Sequence, residues 1–82
     1  MIRVEFYELR RERHLATIRA NITFPDGQTR SVKVGFVHHP DGSPSEPILV
    51  GGEPVIDPLV AAEARRWRDQ NADRIRAVFA ST

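Results

Sequence analysis

Ten residues alternate without a break: Ala16, Ile18, Ala20, Ile22 and Phe24 fall on one side of an extended chain, and Leu15, Thr17, Arg19, Asn21 and Thr23 on the other. A period of two belongs to a strand with one buried and one wet face. Pro25-Asp26-Gly27 follows at once. Proline suits the first position of a type I turn, aspartate the second, and glycine the left-handed residue of a G1 bulge. A three-residue loop of that kind pairs Phe24 with Gln28, Ile22 with Arg30, Ala20 with Val32 and Ile18 with Val34. Val32, Val34 and Phe36 then share the face of the Ile18 series. Turn chemistry and hydrophobic pattern specify one register, and a slip of one residue would turn every side chain over.

The second long pattern is helical. Val60, Ala64, Trp67, Asn71, Ile75 and Val78 recur at intervals of three and four, with Leu59 and Phe79 on the shoulders of the stripe. Asp57 is placed to cap the N-terminus and Pro58 to occupy the first helical position. The spacing predicts one helix over residues 58–79, about 33 Å long at the standard rise. Arg65, Arg66, Asp69, Asp73 and Arg76 face away from the stripe, and Arg65–Asp69 and Asp73–Arg76 have the spacing of exposed ion pairs. Trp67 reads as a core anchor. Asn71 is the anomaly, because a buried amide must find partners or cost about 1–3 kcal/mol.

Ile2, Val4 and Phe6 alternate with Arg3, Glu5 and Tyr7, which predicts a first strand over residues 2–8. The charged run 9–13 then reads as a turn. A helix over residues 5–20 is the competing arrangement, but Phe6, Leu9, Arg13 and Ala16 make a poor helical stripe. Residues 38–47, with a second Pro-Asp-Gly at 40–42, read as a loop. Ile48-Leu49-Val50 reads as a short edge or fourth strand, and Gly51-Gly52-Glu53-Pro54 as another turn.

The predicted fold is a single α+β domain over residues 1–82. It is a two-layer arrangement, with an antiparallel meander of three to four strands (2–8, 15–24, 28–37, 48–50) and one long C-terminal helix on one face. Ile2, Val4, Phe6, Ile18, Ile22, Val32, Val34 and Phe36 line the helix side. By parity Tyr7, Leu9, Leu15 and Val37 fall on the outer face, where a cluster would form a candidate partner surface.

An 82-residue chain buries only about 60–65% of its unfolded surface. It has no cysteine, which removes disulfides and thiolate metal sites. No apolar run approaches the roughly 20 residues that span a bilayer. Met1-Ile2-Arg3-Val4-Glu5 has no signal-peptide segment, so the expectation is a cytoplasmic protein with no membrane partner. A net charge of +1 gives no global field toward nucleic acid or membrane. Eleven arginines against the single Lys33 match the codon bias of a GC-rich genome or a selection for guanidinium contacts.

No catalytic constellation emerges. His38 and His39 are adjacent in an extended segment and point apart, while His14 lies in a different turn, so no zinc site is predicted. Ser31, Ser43 and Ser45 lack a nucleophile elbow. Glu46, Glu53 and Asp57 flank turns near the helix start, where capping explains Asp57 better than acid–base chemistry. Gly51-Gly52 does not open onto a helix as a phosphate loop does. No catalytic, metal or cofactor residue is assigned. The chain reads as a small non-enzymatic interaction domain, accessory or inhibitor-like, that binds a partner protein or itself, as in a homodimer. The alternative is a nucleic-acid-associated protein using Arg10, Arg11 and Arg13 together with Arg65, Arg66 and Arg68.

Overall fold

The computed structural model describes residues 2–41, 43, 45–50, 55 and 57–80 of the chain. Its centre is the hairpin of β2 (Leu15–Thr23) and β3 (Thr29–Val37). The register runs Ile22↔Arg30, Ala20↔Val32 and Ile18↔Val34, as the 25–27 turn requires. Gly27 sits at φ 89° and donates to the Phe24 carbonyl at 2.9 Å, while Phe24 N–H donates to Gln28 at 2.9 Å. Asp26 Oδ1 accepts from Gln28 N–H at 3.0 Å and closes the turn.

β1 (Arg3–Glu12) and β4 (Ile48–Leu49) complete a four-stranded antiparallel sheet in the order β1-β2-β3-β4. β1 is longer than the predicted 2–8, and the charged run 9–13 is strand as far as Glu12. Arg13-His14 makes the connection to β2, with Arg13 at φ 56°. Positive φ is uncommon for a non-glycine residue and is found mostly at turns.

Two helices, not one, lie on the sheet: α1 (Pro58–Gln70) and α2 (Ala72–Ala80). Asp57 Oδ1 accepts from Leu59 N–H at 2.9 Å and Val60 N–H at 3.4 Å, so the cap and the following proline act as their chemistry dictates. The predicted single helix is interrupted at Asn71, which sits at φ −121°. The same residue that breaks the apolar stripe breaks the backbone. None of the described helices is long and apolar enough to cross a membrane.

The core is the layer between sheet and helices. Ala16, Ile18, Val34, Phe36 and Ala64 are buried there, with Phe6, Leu9, Val32, Trp67, Ile75, Val78 and Phe79 packed around them. Full burial of a side chain the size of Ile18, Val34 or Phe36 contributes about 1.5–3 kcal/mol. Trp67 stacks on Phe36 with centroids 6.0 Å apart and planes 10° apart, and tilts against Phe6 at 6.1 Å. Leu59 is not a shoulder of the stripe. It is 57% exposed, on the helix face it shares with Glu63 and Arg66, and Ala61 is buried at 5% instead.

Candidate interaction surfaces

The outer face of the sheet does not gather Tyr7, Leu9, Leu15 and Val37 into one patch. Between Tyr7↔Arg19 and Arg10↔Thr17, β1 has one residue more than β2, so Glu8 and Leu9 together oppose Ile18. Glu8 takes φ 57°, the left-handed first residue of a bulge. The extra residue reverses the parity of everything after it. Leu9 therefore turns inward onto the core rather than outward. Arg10 and Glu12 turn outward, and Arg11 inward.

Of the remaining three, Leu15 and Val37 are cross-strand partners, with Val37 39% exposed. Leu15 lies over Gly35: a Cβ there would meet Leu15 Cδ1 at 3.2 Å and Ile48 Cγ1 at 3.7 Å. Tyr7, opposite Arg19, is four residues further along β2 than Leu15, about 13 Å at the strand rise. Charged pairs fill the space between. Glu8 meets Arg19 at 3.1 Å, and Lys33 Nζ meets Glu12 at 2.6 Å. Glu12 stands opposite Leu15 and Lys33 opposite Arg19, so that second pair passes diagonally over Thr17, which is 2% exposed.

The arginines do not share a face either. Arg10 points to the outer side of β1 and Arg13 is at the turn. Arg11 reaches the helix layer, donating to the Phe79 carbonyl at 3.3 Å with its guanidinium 6.0 Å from the Phe79 ring. A cation there suits the carbonyl end of α2. On α1, Arg65 pairs with Glu46 at 2.8 Å and Arg66 with Glu63 at 3.3 Å. Arg68 donates to the Ser45 carbonyl at 2.8 Å and to Asp69 at 3.0 Å. Arg65 and Asp69 thus have other partners than each other, whereas Arg76 does pair with Asp73. Arg65 and Arg68 are held to Glu46 and Ser45, ahead of β4, while Arg10 and Arg11 stand on β1.

A groove of about 350 Å³ opens where His38 and Ser43 meet the helix break, lined also by Arg68, Ala72, Ile75 and Phe79 among others. His38 packs on Phe79 with centroids 4.5 Å apart. The charged groups of its lining are paired, Arg68 with Asp69 and Arg76 with Asp73. Asp41 accepts from Ser43 N–H at 2.9 Å and Oγ at 2.7 Å, and the Ser43 hydroxyl bond, ahead of the backbone bond and His39, holds its carboxyl below the usual value. Among the described residues no group of three histidines or carboxylates is placed to hold a metal. Glu46 is the Arg65 partner and Asp57 the helix cap, while Glu53, the Gly51-Gly52 turn and Gly42 lie outside the described residues.

One surface escapes a reading of side-chain pattern. β1 is an edge strand, and its open side can be assigned from the ladder. Phe24 N–H bonds Gln28, so the even-numbered residues of β2 direct their backbone groups to β3. The odd ones, Thr23, Asn21 and Arg19, bond their β1 partners Arg3, Glu5 and Tyr7. Val4 and Phe6, between those partners, direct their N–H and C=O groups away from the sheet. Among the described residues no other backbone segment bonds them. Comparison with protein-family models, curated proteins and solved structures finds no match to the chain.

Proposed function

We propose that this protein is a non-enzymatic interaction domain that acts by strand addition, seating an extended segment of a partner chain, or of another copy of itself, on the open edge of β1. The observation that carries this reading is the outward backbone of Val4 and Phe6. A row of unpaired N–H and C=O groups templates a further strand, and proteins that do not use such an edge blunt it. The second half of β1 is blunted by the Glu8 bulge. The half from Arg3 to Tyr7 is regular and has neither proline nor lysine. Ile2, Val4 and Phe6 stand half-buried along it, ready to extend the apolar layer onto an added strand.

A display selection of random extended peptides tests the reading. The selection is run in parallel against the wild-type protein and Val4→Pro. Val4 directs its N–H outward, so proline there removes no bond of the β1–β2 ladder, and an edge position tolerates it. Peptides enriched by the wild type and lost with Val4→Pro, at unchanged circular dichroism, support strand addition. Equal enrichment by both proteins, or none by either, defeats it.

A further inference from the structure

We infer that the occupant of the β1 edge is the β1 edge of a second copy, paired antiparallel about a two-fold axis through Val4. The inference rests on reading that edge as the interaction surface, and it follows from comparing the registers open to residues 2–7. A two-fold pairing places residue i opposite the residue equally far beyond the axis in the other copy, so each choice of centre dictates every pair. An axis at Arg3 or Glu5 sets that residue opposite its own copy, and like charges directly opposed destabilise a sheet. An axis at Phe6 brings Val4 opposite Glu8 and runs into the bulge, where Glu8 is at φ 57°.

An axis at Val4 meets neither obstacle. Arg3 of each copy stands opposite Glu5 of the other, on the outer face, where their side chains are 77% and 66% exposed and only 3.9 Å apart within one strand. Ile2 stands opposite Phe6, and Val4 opposite Val4. These are the residues whose backbone groups point outward, so each of the three pairs exchanges two N–H···O=C bonds, about six in all. Their side chains lie on the helix side, so the half-buried apolar rows of the two copies become one row. Both helices pack on β1: the end of α2 lies by Arg11, which donates to the Phe79 carbonyl at 3.3 Å beyond the bulge, and α1 meets the strand where Trp67 tilts against Phe6. The product is a continuous eight-stranded sheet.

Charge reversal provides the test, read by sedimentation equilibrium over a concentration series with circular dichroism as the check on folding. The wild type is expected to dimerise. Arg3→Glu alone and Glu5→Arg alone each set like charges opposite one another twice, and the dimer weakens by about tenfold to a hundredfold. Arg3→Glu and Glu5→Arg in one chain restore the complementarity and the dimer. An equimolar mixture of the two single variants forms a heterodimer that neither forms with itself. A wild type that stays monomeric at millimolar concentration overturns the proposal, as do single variants that dimerise like the wild type or a double variant that does not recover. A monomeric wild type that still enriches peptides in a Val4-dependent way removes self-pairing alone. A monomer that enriches none removes strand addition as well.

Discussion

The side-chain amide of Asn71 donates to the Trp67 carbonyl at 2.8 Å, and the backbone N–H of Asn71 donates to the same oxygen at 2.9 Å. One acceptor four residues back thus takes both donors of a single residue. The amide oxygen is used too, accepting from Arg74 at 3.0 Å. The asparagine that looked misplaced in an apolar stripe uses both ends of its side-chain amide, and it stands at the break between α1 and α2.

Asn71→Ala is therefore expected to straighten the helix. Alanine is the better helix former by about 0.6 kcal/mol. A straight helix, however, lifts Ile75, Val78 and Phe79 from the sheet, and each forfeits part of the roughly 1.5–3 kcal/mol its burial contributes. The net expectation is a loss of about 1–2 kcal/mol in urea unfolding, with Cα chemical shifts of residues 70–72 becoming helical. A variant that gains stability while keeping the break would show that the amide does not set it.

At the bulge, the usual order of glycine and alanine in a strand should reverse. Both Glu8→Gly and Glu8→Ala remove the ion pair to Arg19, so their difference reports the backbone alone. In a regular strand glycine is the weaker by about 0.5–1 kcal/mol. At φ 57° the alanine suffers the left-handed clash, and Glu8→Gly is expected to be the more stable by about 1 kcal/mol. Denaturant midpoints of the two variants decide the sign.

Trp67 joins α1 to both Phe6 and Phe36. Trp67→Ala is expected to cost about 3–5 kcal/mol, a large share of the roughly 5–15 kcal/mol that holds a domain together. Trp67→Phe keeps one ring in the stack and should retain much more of it. Urea unfolding followed by far-ultraviolet dichroism ranks the three proteins, and similar midpoints for all of them would mean the stack is dispensable.

The contact between Asp41 and Ser43 carries a pH signature. The Asp41 carboxyl is held below its ordinary 3.8, chiefly by Ser43. A group whose folded value is depressed contributes fully above its unfolded value and loses that contribution as pH falls through the folded one. The Ser43 amide resonance should therefore titrate with a midpoint below 3.8, and Ser43→Ala should move the Asp41 midpoint upward. A midpoint at the ordinary value in the unaltered protein contradicts the hydrogen bonding described here.

The β2–β3 hairpin was legible because its turn residues and its alternation are independent signals of one register. The caps of α1 were legible for the same reason: Asp57 and Pro58 act through local backbone chemistry. The bulge was not. Its first residue is a glutamate, which carries no preference for positive φ, so counting parity past Tyr7 put Leu9 on the wrong face. The helix break left a trace in Asn71, an amide in an apolar row, but periodicity cannot tell a buried amide from one that ends a helix. The open edge left no side-chain trace, because it consists of backbone groups whose direction depends on which neighbour their strand lacks. Only the pairing of β1 on one side alone exposes them.

The two borders of the sheet are unequal. One is β1, ten residues long, and the other is β4, with two. Under the pairing proposed above, the molecule would be, in the language of polymer chemistry, monofunctional, with β1 as its one reactive end. A bifunctional sheet would couple at both borders and grow into a fibre. In the proposed dimer the first coupling would consume the β1 border of each partner, and the two described residues of β4 would offer little to begin another. A border that short would act as a chain terminator for the proposed pairing, capping at two the number of sheets that edge-to-edge growth joins.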